Sequence, residues 1–275
     1  MADRHRLPTI PAVHARAMSV LNDPDLEVKH LARLVETDPS LTAAVIRSAN
    51  SAASGPTRRI ATAGEAVVRI GLNTTRRIVM SAVIGESFRG LARSGINTAD
   101  LWRHVLASAL IADSITAQGP ERSTAFTAGL LHDVGRMAMA QADPIRYSRI
   151  VQMAREGIEA SETEEEVFGR SHAAWGAEAA ETWSLPADVI EAIGDHHRGT
   201  AGTISRAVFD SRRITAELRI GDGIIALPPP AEGEDLALSL PDADFEVIEA
   251  MGGLTYVMEQ IDWYSGAIKG ARRAA

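Results

Sequence analysis

AGLLHDVGR, residues 128–136, sets His132 directly against Asp133, beside Leu130 and Leu131, in a run that otherwise reads as a tightly packed helix. A buried histidine or aspartate costs stability unless something pairs with it, so either the fold satisfies both side chains or a cation does. The histidines are His5, His14, His30, His104, His132, His172, His196 and His197, and those beyond residue 30 all fall on or beside predicted helices of the second half. Neutral imidazoles and carboxylates suit Fe, Mn, Zn or Ni, and adjacent ligands on a helix, about 100° apart, reach one ion or straddle a pair. The chemistry such ions bring is activation of water toward a phosphoester, because two cations stabilise both the attacking and the leaving oxygen. A single inward histidine is more often a hydrogen-bonded core residue, and His196-His197 before Arg198-Gly199 suits a helix C-terminus. Five histidines together with a His-Asp pair shift the balance toward a metal.

Helices must position these side chains. Apolar residues recur every three or four positions and two-residue alternation is absent, so the chain is expected to be all-α. Residues 11–22 open on Pro11 and carry Val13, Ala17 and Leu21 on one face; 26–35 follow; Asp38-Pro39 then caps a helix running to Asn50. Gly55-Pro56 breaks the chain, 63–70 resume it, and LNTTRRIVMSAVIGESF after Gly71 forms one more helix. LARSGIN, residues 91–97, is the expected boundary. Beyond it a helix from Thr98 places His104 on the inward stripe of Leu101, Val105, Ser108 and Ala112, and Gly119-Pro120 stops it. Ser123 or Thr124 starts the helix that carries the His-Asp pair, where His132 shares a face with Ala128, Gly129 and Arg136. Ser161 with Glu164 has the form of a capping box, with Glu164 to Glu166 as an exposed helix start; Ser171 caps the helix begun by His172; Pro186 opens ADVIEAIGDHH. Trp175 and Trp183 are expected in the core. PPPAEGED reads as an acidic surface loop, and a single helix over 244–268 closes the chain. The implied organisation is one folding unit over 1–275, with a helical subdomain over 7–91, a second over 97–222, and a loop with a final helix over 223–275.

At 275 residues with 45% hydrophobic content, the core needs no covalent staples. The absence of cysteine excludes disulfides and thiolate ligands, which leaves histidine and carboxylates to hold any metal. A formal net charge of −8 argues against broad nucleic-acid or anionic-membrane binding. Arg58-Arg59 and Arg76-Arg77 are read as a solvated face or ion-pair partners rather than a basic patch. No apolar run approaches the roughly 18 residues of a membrane span, and MADRHRL lacks the apolar core of a signal peptide, so the cytoplasm is the expected location.

The second half resembles the HD phosphohydrolase superfamily, whose pattern of a histidine, a later His-Asp pair and a final aspartate is matched by His104, His132-Asp133 and Asp222 in LRIGDGI. His172, His196 and His197 match positions used by the HD-GYP branch. In the first half, LPTIPAVHARAMSVLNDPD, TDPSLTAAVIRSANSAASG and EAVVRIGLNTTRRIVMSAVI resemble the HDOD family, the HD-related output domain of bacterial signalling proteins. GLLHDVGR, EVFGRSHAAWGAEAAETWSLP and AIGDHH extend that likeness to about Asp222.

The resemblance implies a small N-terminal helical bundle packed on an HD-like bundle. It also implies a regulatory role in signal transduction through a protein partner or a small ligand, such as a nucleotide or phosphate. It assigns one divalent ion to His104, His132, Asp133 and Asp222 and a second to His172, His196 and His197. Asp100, four residues before His104, stands where an HD-GYP site often has a glutamate; a carboxylate favoured at a helix start is the plainer account. No GYP segment follows His197, where RGTAGTIS stands, and Arg136 replaces the lysine three residues after the pair, so cyclic di-GMP is not the expected substrate. The enzymatic alternative is a metal-dependent phosphohydrolase acting on a nucleotide or phosphodiester, with Asp133 and Arg136 as catalytic residues and Arg136 holding phosphate oxygens. The Asn50-Ser51 motif of the family carries no evident chemistry, and a helix C-cap by Asn50 is its simplest role.

Overall fold

The computed structural model describes residues 12–21, 23, 25–51, 59–116, 121–230 and 236–274. The chain divides into two units, Ile10–Arg89 with Asp262–Ala275, and Gly90–Ile261. Both are helical, and no strand occurs among the described residues, as the sequence periodicity predicts. The breaks expected at Gly55-Pro56 and Gly119-Pro120, together with Pro11, His5, Arg58 and residues 231–235 of the acidic loop, lie outside the described residues.

The smaller unit contains α1 (Ala12–Leu21), α2 (Val28–Glu36), α3 (Pro39–Ala49), α4 (Ala63–Ile70) and α5 (Leu72–Ser87). The Asp38 side chain accepts from the Ser40 and Leu41 amides and Pro39 occupies the first turn, so α3 starts where the sequence predicts. Gly71, at φ 82°, turns the chain sharply between α4 and α5. α5 supplies the centre of this core, with Ile78, Val79, Val83 and Ile84 fully buried. Asn50 ends α3, but its side chain does more than cap: Nδ2 donates to the Ile60 carbonyl at 2.8 Å while Oδ1 accepts from the Ile60 amide at 2.8 Å. The side chain thereby clamps the two ends of the 51–59 connection. Ser51 Oγ donates to the Ser48 carbonyl and accepts from Trp263 Nε1 at 2.7 Å. Arg76 is not on a solvated face. It is 8% exposed, and its guanidinium donates to the Asp23 carbonyl at 2.9 Å, because α5 is surrounded by the other helices of the unit.

The larger unit begins with a 3-10 turn (Leu91–Ser94) and continues through α6 (Thr98–Ile115), α7 (Glu121–Leu131), α8 (Val134–Ala142), α9 (Pro144–Arg155), α10 (Ala160–Phe168), α11 (His172–Thr182), α12 (Ala187–Asp195), α13 (Thr203–Glu217) and α14 (Asp242–Ala250). α15 (Leu254–Ala274) begins in this unit and ends in the other. The single closing helix expected over 244–268 is therefore two, separated at Gly252 and Gly253, whose φ angles of 108° and 86° interrupt it. Trp175 and Trp183 are core residues, as expected. Ser171 caps α11 through the Ala174 amide. The capping box at Ser161 does not form: α10 starts at Ala160, Ser161 Oγ bonds Glu159, and Glu164 is fully buried instead of lying on an exposed helix start.

Candidate metal centre

The His-Asp pair does not lie within a helix. α7 starts at Glu121, ahead of the expected Ser123 or Thr124, and ends at Leu131; α8 starts at Val134, so His132 and Asp133 occupy the break. Two glycines fix that break by permitting backbone contact. A Cβ on Gly129 would stand 2.8 Å from Ala109 Cα, so α7 lies against α6 and carries His132 toward His104. A Cβ on Gly135 would stand 1.9 Å from the His172 carbonyl oxygen, so the first turn of α8 lies against α11 and brings Asp133 toward His172. Asp133 takes the N-cap position of α8 but makes no side-chain capping bond, which leaves its carboxylate to face the imidazoles.

Around that carboxylate the rings form two groups. His104 Nε2 and His132 Nε2 are 3.3 Å apart, and Asp133 Oδ2 lies 3.9 and 3.4 Å from them. His172 Nε2 is 3.2 Å from His196 Nε2 and 3.0 Å from His197 Nε2, with Asp133 Oδ1 3.4 Å from His172 and 3.8 Å from His196. Tautomers follow from the other ring nitrogens. His132 Nδ1 faces the Gly129 carbonyl at 2.7 Å, His196 Nδ1 the Ile193 carbonyl at 2.6 Å, and His172 Nδ1 the Glu164 carboxylate at 2.5 Å. Each of these acceptors requires a proton on Nδ1, which leaves Nε2 of His132, His172 and His196 as the atom turned toward the cluster and Asp133. Asp133 Oδ1 is buried without a hydrogen-bond partner. The Nε2 atoms of the imidazoles converge beside an unpartnered carboxylate oxygen, a donor set that suits a divalent transition metal.

Burial and neighbouring charges keep His104, His196, His197 and Asp133 in ligand form. Burial, aided by the neighbouring His132, lowers His104 from 6.5 to about 4. His196 lies well below its ordinary value for the same reasons; His197 is exposed at its surface, but desolvation of its ring with Arg212 nearby takes it to about 3. For Asp133 burial opposes the charge, but Arg136 and His132 outweigh it and hold the carboxyl well below its usual range.

A further layer orients the ligands. Glu164 accepts from the Tyr147 hydroxyl at 2.8 Å, the His172 amide at 2.7 Å and His172 Nδ1, all within the core. Asp195, at the end of α12, accepts from the Thr200 and Ala201 amides, which closes the turn that presents His196 and His197. Arg212 Nη1 donates to the His196 carbonyl at 3.0 Å. Sequence reasoning missed Glu164, Tyr147 and Arg212 as site residues. Glu164 precedes His172 by eight residues across a helix boundary, a spacing that gives no signal of contact.

Asp222 lies beside the first histidine group, near enough for its charge to act on His104. Its Oδ1 accepts from the Ile224 and Ile225 amides, and its Oδ2 lies 3.0 Å from Arg136 Nη1, which is also 3.0 Å from Asp133 Oδ2. Gly223 docks this loop on α6, its carbonyl accepting from the Asn97 amide at 2.8 Å, with no space for a Cβ beside the Asn97 oxygen. Among the described residues, the ligand atoms of His104, His132 and Asp133, and those of His172, His196 and His197, lie within 4.8 Å of one another; Asp222 joins neither group. Asp100 accepts from Asn97 Nδ2 at 2.5 Å near the start of α6, the ordinary role of a helix-start carboxylate.

An all-helical chain with histidines gathered around a His-Asp pair is of the HD type, and comparison with known proteins narrows that class. The HDOD domain model matches residues 7–199, and the chain belongs to the HDOD domain family. An uncharacterised protein of Treponema pallidum (strain Nichols) is 26% identical over 202 residues; the match takes 72% of this chain and spans only 39% of that relative's length. The crystal structure of an HDOD domain protein of unknown function from Geobacter sulfurreducens aligns with a TM-score of 0.67 at 27% identity, covering 98% of this chain and 92% of that one. A Shewanella amazonensis SB2B protein named "Putative phosphohydrolase" aligns with a TM-score of 0.66 over 98% of this chain and 95% of that one; at 21% identity the likeness shows the fold alone.

Proposed function

We propose that this chain is a metal-binding HDOD regulatory module of bacterial signalling, one that acts in the cytoplasm through a protein partner or a small ligand. The observation that carries the metal is the set of imidazole Nε2 atoms facing Asp133, whose Oδ1 has no hydrogen-bond partner. His104, His132 and Asp133 would hold one ion, and His172, His196 and His197, with Asp133 between the groups, a second; Fe, Mn, Zn and Ni all suit these donors. Regulation is favoured over hydrolysis by Arg136. It is 4% exposed and its Nη1 bridges Asp133 and Asp222, so the guanidinium is engaged with carboxylates rather than open to a phosphate.

The shared position of Asp133 between two histidine groups supports a second reading, a metal-dependent phosphohydrolase acting on a nucleotide or phosphodiester other than cyclic di-GMP. A divalent ion there would polarise a phosphoester oxygen as a Lewis acid. Asp133 would hold the ions in place, and Arg136 would have to leave Asp222 to grip a phosphate. The two readings separate in one assay. Metal-reconstituted protein is incubated with bis(p-nitrophenyl) phosphate and with nucleoside phosphates across Mn, Fe, Ni and Zn. The regulatory reading expects no turnover above free metal. Turnover that Asp133→Ala abolishes, and that Arg136→Ala lowers by about a hundredfold, the cost of one lost transition-state contact, would overturn it.

A further inference from the structure

A histidine that the HD pattern does not use lies in the smaller unit. His14, on α1, is buried against the end of α5. Its Nδ1 is 3.1 Å from Ser87 Oγ, and Ser87 Oγ donates its own hydrogen to the Val83 carbonyl at 2.8 Å. The serine can therefore only accept from His14, which puts a proton on Nδ1 and turns Nε2 the other way. Nε2 stands 3.5 Å from Glu86 Oε2, longer than a direct hydrogen bond. The Glu86 side chain is 6% exposed, and its other oxygen, Oε1, is buried with no hydrogen-bond partner. The Asp38 carboxylate completes the cluster: one oxygen caps α3, and ligand atoms of His14, Asp38 and Glu86 lie within 4.8 Å of one another.

We propose that His14, Glu86 and Asp38 form a second, separate metal site, one that takes a zinc-class divalent ion through His14 Nε2 and the two carboxylates. The 3.5 Å gap between His14 Nε2 and Glu86 Oε2 suits two ligands that each stand about 2.0–2.2 Å from one tetrahedral ion. One imidazole with two carboxylates is a donor set of zinc sites; the imidazole selects against magnesium and calcium. Asp38 is only half buried, so the ion has a way in and a fourth position open to water. The ion would tie α1, the start of α3 and the end of α5 together, and its role is structural.

The test uses the full chain, stripped with chelator, with histidine rings labelled with 15N. Zinc is titrated into wild type and into Glu86→Gln, while the His/Asp pocket of the larger unit is present in both. The proposal expects the His14 Nε2 resonance to shift on zinc addition in wild type. In Glu86→Gln it expects about one equivalent less zinc, or affinity at this site weakened at least about tenfold. If circular dichroism shows that Glu86→Gln fails to fold, Asp38→Asn keeps the helix cap and serves in its place, with the same expected loss. A His14 ring whose two nitrogens stay protonated and unmoved by zinc would mean an imidazolium paired with Glu86, and would overturn the proposal. Equal zinc binding by wild type and the folded variant would overturn it as well.

Discussion

Replacing Glu164 by Gln isolates the charge that holds His172. The carboxylate accepts from Tyr147 OH, the His172 amide and His172 Nδ1 at 2.8, 2.7 and 2.5 Å, and a carboxamide of the same shape can keep most of that geometry. Its carbonyl can still accept from His172, while the Tyr147 hydroxyl can turn to accept from the new NH2. What disappears is the negative charge. A hydrogen bond to a charged group contributes about 1.5–3 kcal/mol against about 1 kcal/mol for a neutral one, so the substitution costs about 0.5–2 kcal/mol. For a protein of this size that is a fall in Tm of about 1–8 °C. The carboxylate also sharpens the basicity and orientation of the ring, so affinity for the ion held by His172 falls by about 10–100-fold. Differential scanning fluorimetry of the metal-free chain reads the first effect, and a competitive metal titration reads the second. Wild-type values for both would refute the assignment of Glu164 as the residue that positions His172.

Arg136→Met leaves Asp133 and Asp222 without the guanidinium between them, and the metal-free chain should lose about 3–5 kcal/mol in denaturant unfolding; a loss under about 1 kcal/mol would mean that this bridge is not formed in solution. Gly135→Ala places a Cβ against the His172 carbonyl, so α8 and α11 must separate, and the variant should lose metal binding even where it folds; a stable variant with unchanged affinity would contradict the close approach. The metal-free chain should also lose stability in acid through His104, which is neutral in the fold and protonates near 6.5 once unfolded. Because the folded value is depressed to about 4, this contribution is complete above about pH 6.5 and is lost as pH falls toward 4, about 3 kcal/mol in all. Urea titrations in chelator at intervals across that window should show the decline, with the Asp133 contribution lost only at lower pH, and a flat profile between pH 6.5 and 4.5 would refute it.

What the sequence made legible were residue types and local signals. Asp38-Pro39 and Ser171 carry a local capping signal, and each caps its helix where it stands. The helical period was equally readable, because α6 buries the stripe that carries His104. Where several long-range contacts compete for one residue, the local signal misleads. Glu164 has the spacing of a capping box, but the charge-assisted bonds to His172 and Tyr147 in the core outweigh an exposed cap. Arg76 reads as half of a basic pair, yet α5 is enclosed and the guanidinium finds a backbone carbonyl 53 residues away. The break at His132-Asp133 carries no proline or polar run to announce it; it follows from the close approach at Gly129 and Gly135, which depends on α6 and α11. The role of Asn50 is likewise visible only once Ile60 has returned beside it.

The central claim is that Asp133 and the surrounding imidazoles hold a divalent transition metal, and elemental analysis of protein purified without chelators tests it most directly. Samples of wild type and Asp133→Ala are reconstituted under reducing conditions with Mn, Fe, Ni or Zn, and the metal content is compared at equal protein concentration. Asp133→Ala removes the carboxylate that both histidine groups face, so wild type should retain about one to two equivalents more than the variant for at least one of these metals. A difference below about 0.2 equivalents for all four metals, with the variant folded, would contradict the account.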